Sequence, residues 1–162
     1  MIRDALIEDS GHIAEIIVSA WQTAYEGVID PGFPATLSVE KFTEIFRDNI
    51  GDSKEIIRIH NSGDGEITGF ISGVIKNEGR HDSEIIGLYV SPSSQGKGIG
   101  RGLLLHMLSF FKDSGCRSTM LRTLKGVKNN SFYEKLGGIA AEEISLEFGG
   151  KDYRGTVYTW EL

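Results

Sequence analysis

The run from Glu84 to Gly115 restricts this chain more than any other. Glu84-Ile85-Ile86-Gly87-Leu88-Tyr89-Val90 reads as a strand, and Ser91-Pro92-Ser93-Ser94 as a turn. Gln95-Gly96-Lys97-Gly98-Ile99-Gly100-Arg101-Gly102 then leads into a helical pattern. In that pattern Ile99, Leu103, Leu104, Met107, Leu108 and Phe111 share a broad apolar face, and Gly115 is the expected stop. Strand, glycine loop and helix in this order form a device for holding phosphate. The first amides of a helix have no intrahelical partner, and the helix dipole adds roughly half a positive charge there. Glycines at 96, 98, 100 and 102 remove the side chains that would keep a pyrophosphate from those amides. A turn that only packs a helix on a sheet is the plainer reading, but such a turn seldom needs glycine at all of these positions.

Spacing rules out two common phosphate loops. A glycine followed by Lys and Ser or Thr, as a Walker loop requires, is absent. Counting from Gly98 and Gly100, the third glycine of the dinucleotide fingerprint would fall on Leu103. At 162 residues with 40% hydrophobic content, the chain is read as one soluble domain, 1–162. No apolar run reaches membrane-spanning length, and Met1-Ile2-Arg3-Asp4-Ala5 lacks the plan of a secretory signal. Cys116 is the only cysteine, so no internal disulfide forms and a cytoplasmic setting is the default. The net charge of -6 argues against nucleic acid and anionic membranes as partners. His12, His60, His81 and His106 show no metal-ligand spacing, so no metal is expected.

Taken in order, residues 2–7 read as a strand. Glu8-Asp9-Ser10 is the expected capping segment of a helix carrying Ile13, Ile16, Ile17, Ala20, Trp21 and Ala24, with Gly27 as its stop. Ser38 is the expected cap of a second helix with Val39, Phe42, Ile45 and Phe46. Residues 55–60, 67–75 and 83–90 read as strands, and Gly69, Gly73 and Gly87 within them point to a bulge or a close backbone approach. After the long helix come a strand at 117–123, a short helix at 129–136 and a hairpin of 139–148 with 152–161. Pattern alone gives an α/β or α+β domain.

Two segments carry a resemblance. Gln95-x-x-Gly98-x-Gly100, after a strand and a Val-x-Pro turn, is similar to the acetyl-CoA signature Gln/Arg-x-x-Gly-x-Gly/Ala of the GCN5-related N-acetyltransferase (GNAT) superfamily. Asn130-Ser131-Phe132-Tyr133-Glu134-Lys135-Leu136-Gly137-Gly138 resembles that family's second signature. The resemblance implies the GNAT fold: a mixed, mostly antiparallel sheet of about seven strands with about four helices, in the order β-α-α-β-β-β-α-β-α-β-β. It also implies acetyl-CoA as cosubstrate and a primary amine of a small molecule or peptide as acceptor. The transfer would be direct, within a ternary complex. A dimer is common in the family, though no residue pattern here demonstrates one.

Carried over residue by residue, the resemblance assigns the pyrophosphate to backbone amides of Gly96, Gly98, Gly100 and Arg101, beside Gln95. Lys97 and Arg101 add charge or are solvated. It lays the pantetheine arm along Leu88, Tyr89 and Val90, with Phe132 and Tyr133 beside it. The Leu88 amide is the expected oxyanion donor, worth about 3 kcal/mol if well aimed. Tyr133 is the expected acid to the leaving thiolate, or else a core tyrosine. Glu84 is the candidate base, with a solvent-facing strand residue as the equal alternative and His81 as the weaker candidate. The family's usual Asn stands six residues before the Phe, where this chain has Gly126; Asn129 either contacts the pantetheine or caps its helix. Trp21 and Tyr25, four apart on one helix face, are candidates for the acceptor pocket, with core packing the alternative for Trp21. Two rival functions remain open from sequence: a non-catalytic acyl-CoA-binding module, and a transferase for a longer acyl chain.

Overall fold

The computed structural model describes residues 1–162. Its strands are β1 (Ile2–Asp4), β2 (Ile56–Asn61), β3 (Ile67–Ile75), β4 (Ser83–Val90), β5 (Ser118–Leu124), β6 (Ile139–Phe148) and β7 (Lys151–Glu161). Its helices are α1 (Ser10–Ala24), α2 (Val39–Gly51), α3 (Ile99–Asp113) and α4 (Asn129–Lys135). The strands form one sheet in the order β1-β2-β3-β4-β5-β7-β6. All neighbours are antiparallel except β4 and β5, which are parallel and joined through α3. The expected element order and mixed sheet are therefore those of the structure.

The apolar periodicities find opposite faces of this sheet. Leu103, Leu104, Met107 and Phe111 of α3 are each 0% exposed and pack with Ile71, Ile85, Leu121, Tyr158 and Trp160. On the other face Ile13, Ala14 and Ile16 of α1 and Phe46 of α2 meet Ile57, Ile59 and Phe70. Each buried Leu, Ile, Met or Phe among them contributes about 1.5–3 kcal/mol of burial. A third cluster, Tyr25, Ile29, Leu124 and Val127, closes the end of α1 against β5. It fixes the segment after α1 beside the site described below.

Local details depart from expectation at two places. Asp9 does not cap α1 through its side chain; the carboxylate instead takes the Leu6 amide at 2.7 Å and a forked pair from Arg3 at 2.8 and 3.0 Å. The first strand is shorter than read, because a 3-10 turn at Ile7–Asp9 follows it. Ser38 caps α2 as expected, its hydroxyl accepting from the Lys41 amide at 3.2 Å. The β3–β4 register slips between Ser72 and Gly73, where Ser72 faces Gly87 but Gly73 faces Ile85. A Cβ on Gly73 would stand 2.8 Å from the Phe111 ring and 3.0 Å from the Glu84 carbonyl, so the close approach read from the glycines is real.

Candidate active site

The site begins where β4 and β5 part. Their pairing runs only from Ser83↔Thr119 to Ile85↔Leu121, whereas β4 stays paired to β3 as far as Val90. Beyond Ile85 the edge of β4 that faces β5 thus has no strand partner. The Ser91 amide donates to the Thr68 carbonyl on β3 at 2.8 Å. Antiparallel alternation then turns the N–H and C=O of Leu88 and Val90 to the open edge. The Val90 carbonyl there accepts from Gln95 Nε2 at 3.3 Å.

Below that edge lies the glycine loop. Gly96 and Gly98 have φ of 77° and 80°, a left-handed backbone that other residues adopt only at a cost of roughly 1–2 kcal/mol. These turns deliver the chain to the start of α3 with its donors free. No backbone amide from Gly96 through Arg101 donates a hydrogen bond within the protein. A cleft of about 1250 Å³ runs from this loop along the open edge of β4. Leu88, Tyr89, Val90, Gln95, Gly96, Gly98, Gly100, Arg101, Asn129, Phe132 and Tyr133 all line it, so most residues singled out from sequence come together.

Lys97 does not line the cleft; its ammonium bonds the Ser93 carbonyl at 3.2 Å. Lys128 and Lys135, which the sequence reading passed over, do line it. With Phe132 they follow an i, i+4, i+7 spacing on one face of α4, and that spacing was the available signal. Asn129 lies in the wall, and the turn before α4 is held by Asn130 instead. Asn130 Nδ2 donates to the Leu124 carbonyl at 3.0 Å, and its Oδ1 accepts from the Gly126 amide at 2.9 Å.

At the inner end a smaller cavity, about 30 Å³, sits in the split itself. It shares Tyr25, Leu88, Tyr89, Asn129 and Tyr133 with the cleft and adds Ile86, Arg122 and Thr123. Three tyrosines thus converge on the open edge of β4. Tyr133 is 4% exposed, and its hydroxyl has no hydrogen-bond partner in the protein. Burial, then the neighbouring Tyr89 and Tyr158, push its phenol well above the usual range. Burial raises Tyr25 and Tyr89 in the same direction. All three phenols therefore stay protonated at neutral pH.

Trp21 lines neither cavity. Its ring meets Tyr25, Phe33 and Phe148 edge-on, and its indole N–H donates to the Tyr89 hydroxyl at 3.2 Å. A Cβ on Gly87 would stand 2.8 Å from the Tyr89 ring, so glycine lets that ring lie back over its own strand. Glu84 lines neither cavity either. Its carboxylate is held by Lys76 at 2.7 Å, with Arg122 Nε at 3.7 Å. His81 is tied to the Ser118 hydroxyl at 3.0 Å.

A sheet split between parallel strands, with a donor-rich helix start at one end of the opening, places this chain among the acyl-CoA N-acyltransferase folds. Residues 14–138 match the Acetyltransferase (GNAT) family, and the chain belongs to that family. Its class of activity is acetyl-CoA-dependent N-acetyl transfer. It is similar to the uncharacterized N-acetyltransferase YuaI of Bacillus subtilis (strain 168), 25% identical over 92% of this chain and 86% of that protein. An aminoglycoside N(6')-acetyltransferase type 1 of Stenotrophomonas maltophilia is 27% identical over 72% of this chain and 70% of its own. Among solved structures, the PaiA N-acetyltransferase of Thermoplasma acidophilum, in complex with coenzyme A, superposes with a TM-score of 0.78. It is 23% identical and the match covers 100% of this chain and 98% of that one.

Proposed function

We propose that this chain transfers the acetyl group of acetyl-CoA to a primary amine of a small molecule or peptide, directly and within a ternary complex. One observation carries the reading: the free amides of residues 96–101 open into the same cleft as the unpartnered edge of β4 and the buried Tyr133. That a related fold has been solved with coenzyme A supports it.

The residues fit the cosubstrate in three places. The amides of Gly96, Gly98, Gly100 and Arg101 take the pyrophosphate, and Arg101, Lys128 and Lys135 supply positive charge around it. The backbone groups of Leu88 and Val90 pair with the pantetheine amides as an added half-strand would. Phe132, which packs against the start of α3 at Gly100, and Tyr133 cover the arm. Acetyl-CoA supplies the acyl group as a thioester.

In the transfer, the amine nitrogen forms its bond to the acetyl carbon and the carbon–sulfur bond breaks. The Leu88 amide, aimed along the open edge, receives the carbonyl oxygen as its charge grows. The Tyr133 phenol, kept protonated by burial, gives its proton to the departing sulfur. The proton lost by nitrogen passes to solvent water. Glu84 is bonded to Lys76 at the start of the split, and this reading gives it no direct part in proton removal.

The deciding measurement is calorimetric binding of coenzyme A to a variant with Gly98→Val and Gly100→Leu, with circular dichroism to certify folding. A loss of at least about a hundredfold is expected, since charge-assisted bonds to several amides are removed together. Unchanged affinity in the folded variant would overturn the reading. Turnover is checked separately by thiol release with a panel of amines and with acetyl-, propionyl- and succinyl-CoA. Binding without release across a broad panel would leave a binding module in place of the enzyme.

A further inference from the structure

We infer that the acceptor amine also carries a carboxylate, and that Arg122 binds it in the small cavity between β4 and β5. This rests on the acetyltransferase reading above and narrows its substrate class. The cavity holds one cation and no carboxylate among its lining residues. In a chain of net charge -6, an uncommitted guanidinium at such a place calls for an anion.

Arg122 is uncommitted in a specific sense. Its one ionic neighbour is Glu84, and that contact runs from Nε at 3.7 Å, too long for a hydrogen bond. Glu84 is already bonded to Lys76 at 2.7 Å. The terminal nitrogens of Arg122 donate to nothing in the protein, and the side chain is 55% exposed. The planar fork is therefore free to take both oxygens of a carboxylate.

Other donors around the same space are also free. The Asn129 side-chain oxygen is taken by Asn130 Nδ2 at 3.4 Å, which leaves the Asn129 amide nitrogen without an acceptor. The Thr123 hydroxyl, in the same lining, has no partner in the protein. A space of about 30 Å³ holds roughly two waters, which is the size of a carboxylate group. Ile86, 48% exposed beside it, offers apolar contact to the rest of such a molecule. Glu26 is the only carboxylate lining the larger cleft and does not line this cavity, so it does not neutralise Arg122 there. A polycationic acceptor would meet Arg122 as a like charge.

The test pairs carboxylates with their neutral counterparts. N-acetyl-L-amino acids and their carboxamides are titrated calorimetrically into the full chain saturated with coenzyme A, a readout that needs no turnover. The carboxylate form is expected to bind roughly ten- to a hundredfold more tightly, the range of charge-assisted hydrogen bonds. Arg122→Gln is expected to bring the two forms within about twofold, and Arg122→Lys to restore part of the difference. Affinity for coenzyme A should not change in either variant. In thiol-release kinetics the free amino acid should exceed its carboxamide through KM rather than kcat. Equal binding of carboxylate and carboxamide by the wild-type chain, or discrimination that survives Arg122→Gln, would overturn the inference while leaving the acetyltransferase reading intact. Carboxylate-selective product binding with no thiol release from any amine would do the reverse.

Discussion

At the scale of single residues, the chemistry turns on groups whose surroundings leave them one role. Tyr133 is enclosed by apolar and aromatic neighbours, so its phenol stays protonated at neutral pH and has a proton to give as charge builds on the sulfur. Tyr133→Phe is expected to lower kcat by roughly a hundredfold or more, with coenzyme A affinity nearly unchanged, in steady-state kinetics and calorimetry. An unaltered kcat would return Tyr133 to the core. Glu84 is the contrasting case, because its carboxylate is already bonded by Lys76 at 2.7 Å and lines neither cavity. Glu84→Gln is expected to leave the alkaline rise of the pH–rate profile in place; a flattened rise would put the carboxylate on the proton path after all. The strand position of Glu84 was readable from sequence, but its partners were not. Lys76 follows the end of β3 and Arg122 lies on β5, and only strand register brings them near it. Asp82 illustrates pH linkage at the same scale. Its carboxylate accepts from the Arg117 and Ser118 amides at the start of β5, and these bonds hold its pKa below the usual carboxylate value. A lowered folded pKa means that its contribution is present above the unfolded value near pH 4 and is lost as pH falls through the folded one. Asp82→Asn should therefore flatten the stability curve at its acidic end and change little in shape near neutrality, as followed by chemical denaturation across pH.

At the scale of elements, the split between β4 and β5 and the start of α3 form one unit. The bulge at Ser72/Gly73 shifts the register just before the strands part, and Gly73 is where β3 must pass close to Phe111 and the Glu84 carbonyl. Gly73→Ala places a methyl closer than van der Waals contact to both, so overpacking of roughly 1–3 kcal/mol is expected in denaturant unfolding. A neutral result would mean that β3 can shift without strain. The glycine loop and the α3 pattern were legible because phosphate-holding geometry and a 3.6-residue period are local properties. The α4 cations Lys128 and Lys135 were legible in principle, since they share a helix face with Phe132. The capping of α1 was misread because Asp9 had a stronger partner in Arg3, supplied by a different element.

At the scale of the whole molecule, ligand and fold are linked. The cleft is walled by residues from α1, β4, α3 and α4, so a ligand bound there ties elements on both faces of the sheet to each other. Coenzyme A at about a hundred times its dissociation constant should stabilise the chain by about 2.7 kcal/mol. For a domain of this size that corresponds to a rise in Tm of roughly 5–11 °C, measured by calorimetry. The absence of a rise at saturating ligand would contradict the site. By itself the sequence determined the element order, the two apolar helix faces and the phosphate loop, because each depends on neighbours within a few turns of chain. Only the tertiary structure decided which tyrosines meet at the open strand edge, that Glu84 is occupied, and that Arg122 is not. Those outcomes depend on which strands pair, where their pairing stops, and how side chains far apart in the chain compete for the same partners.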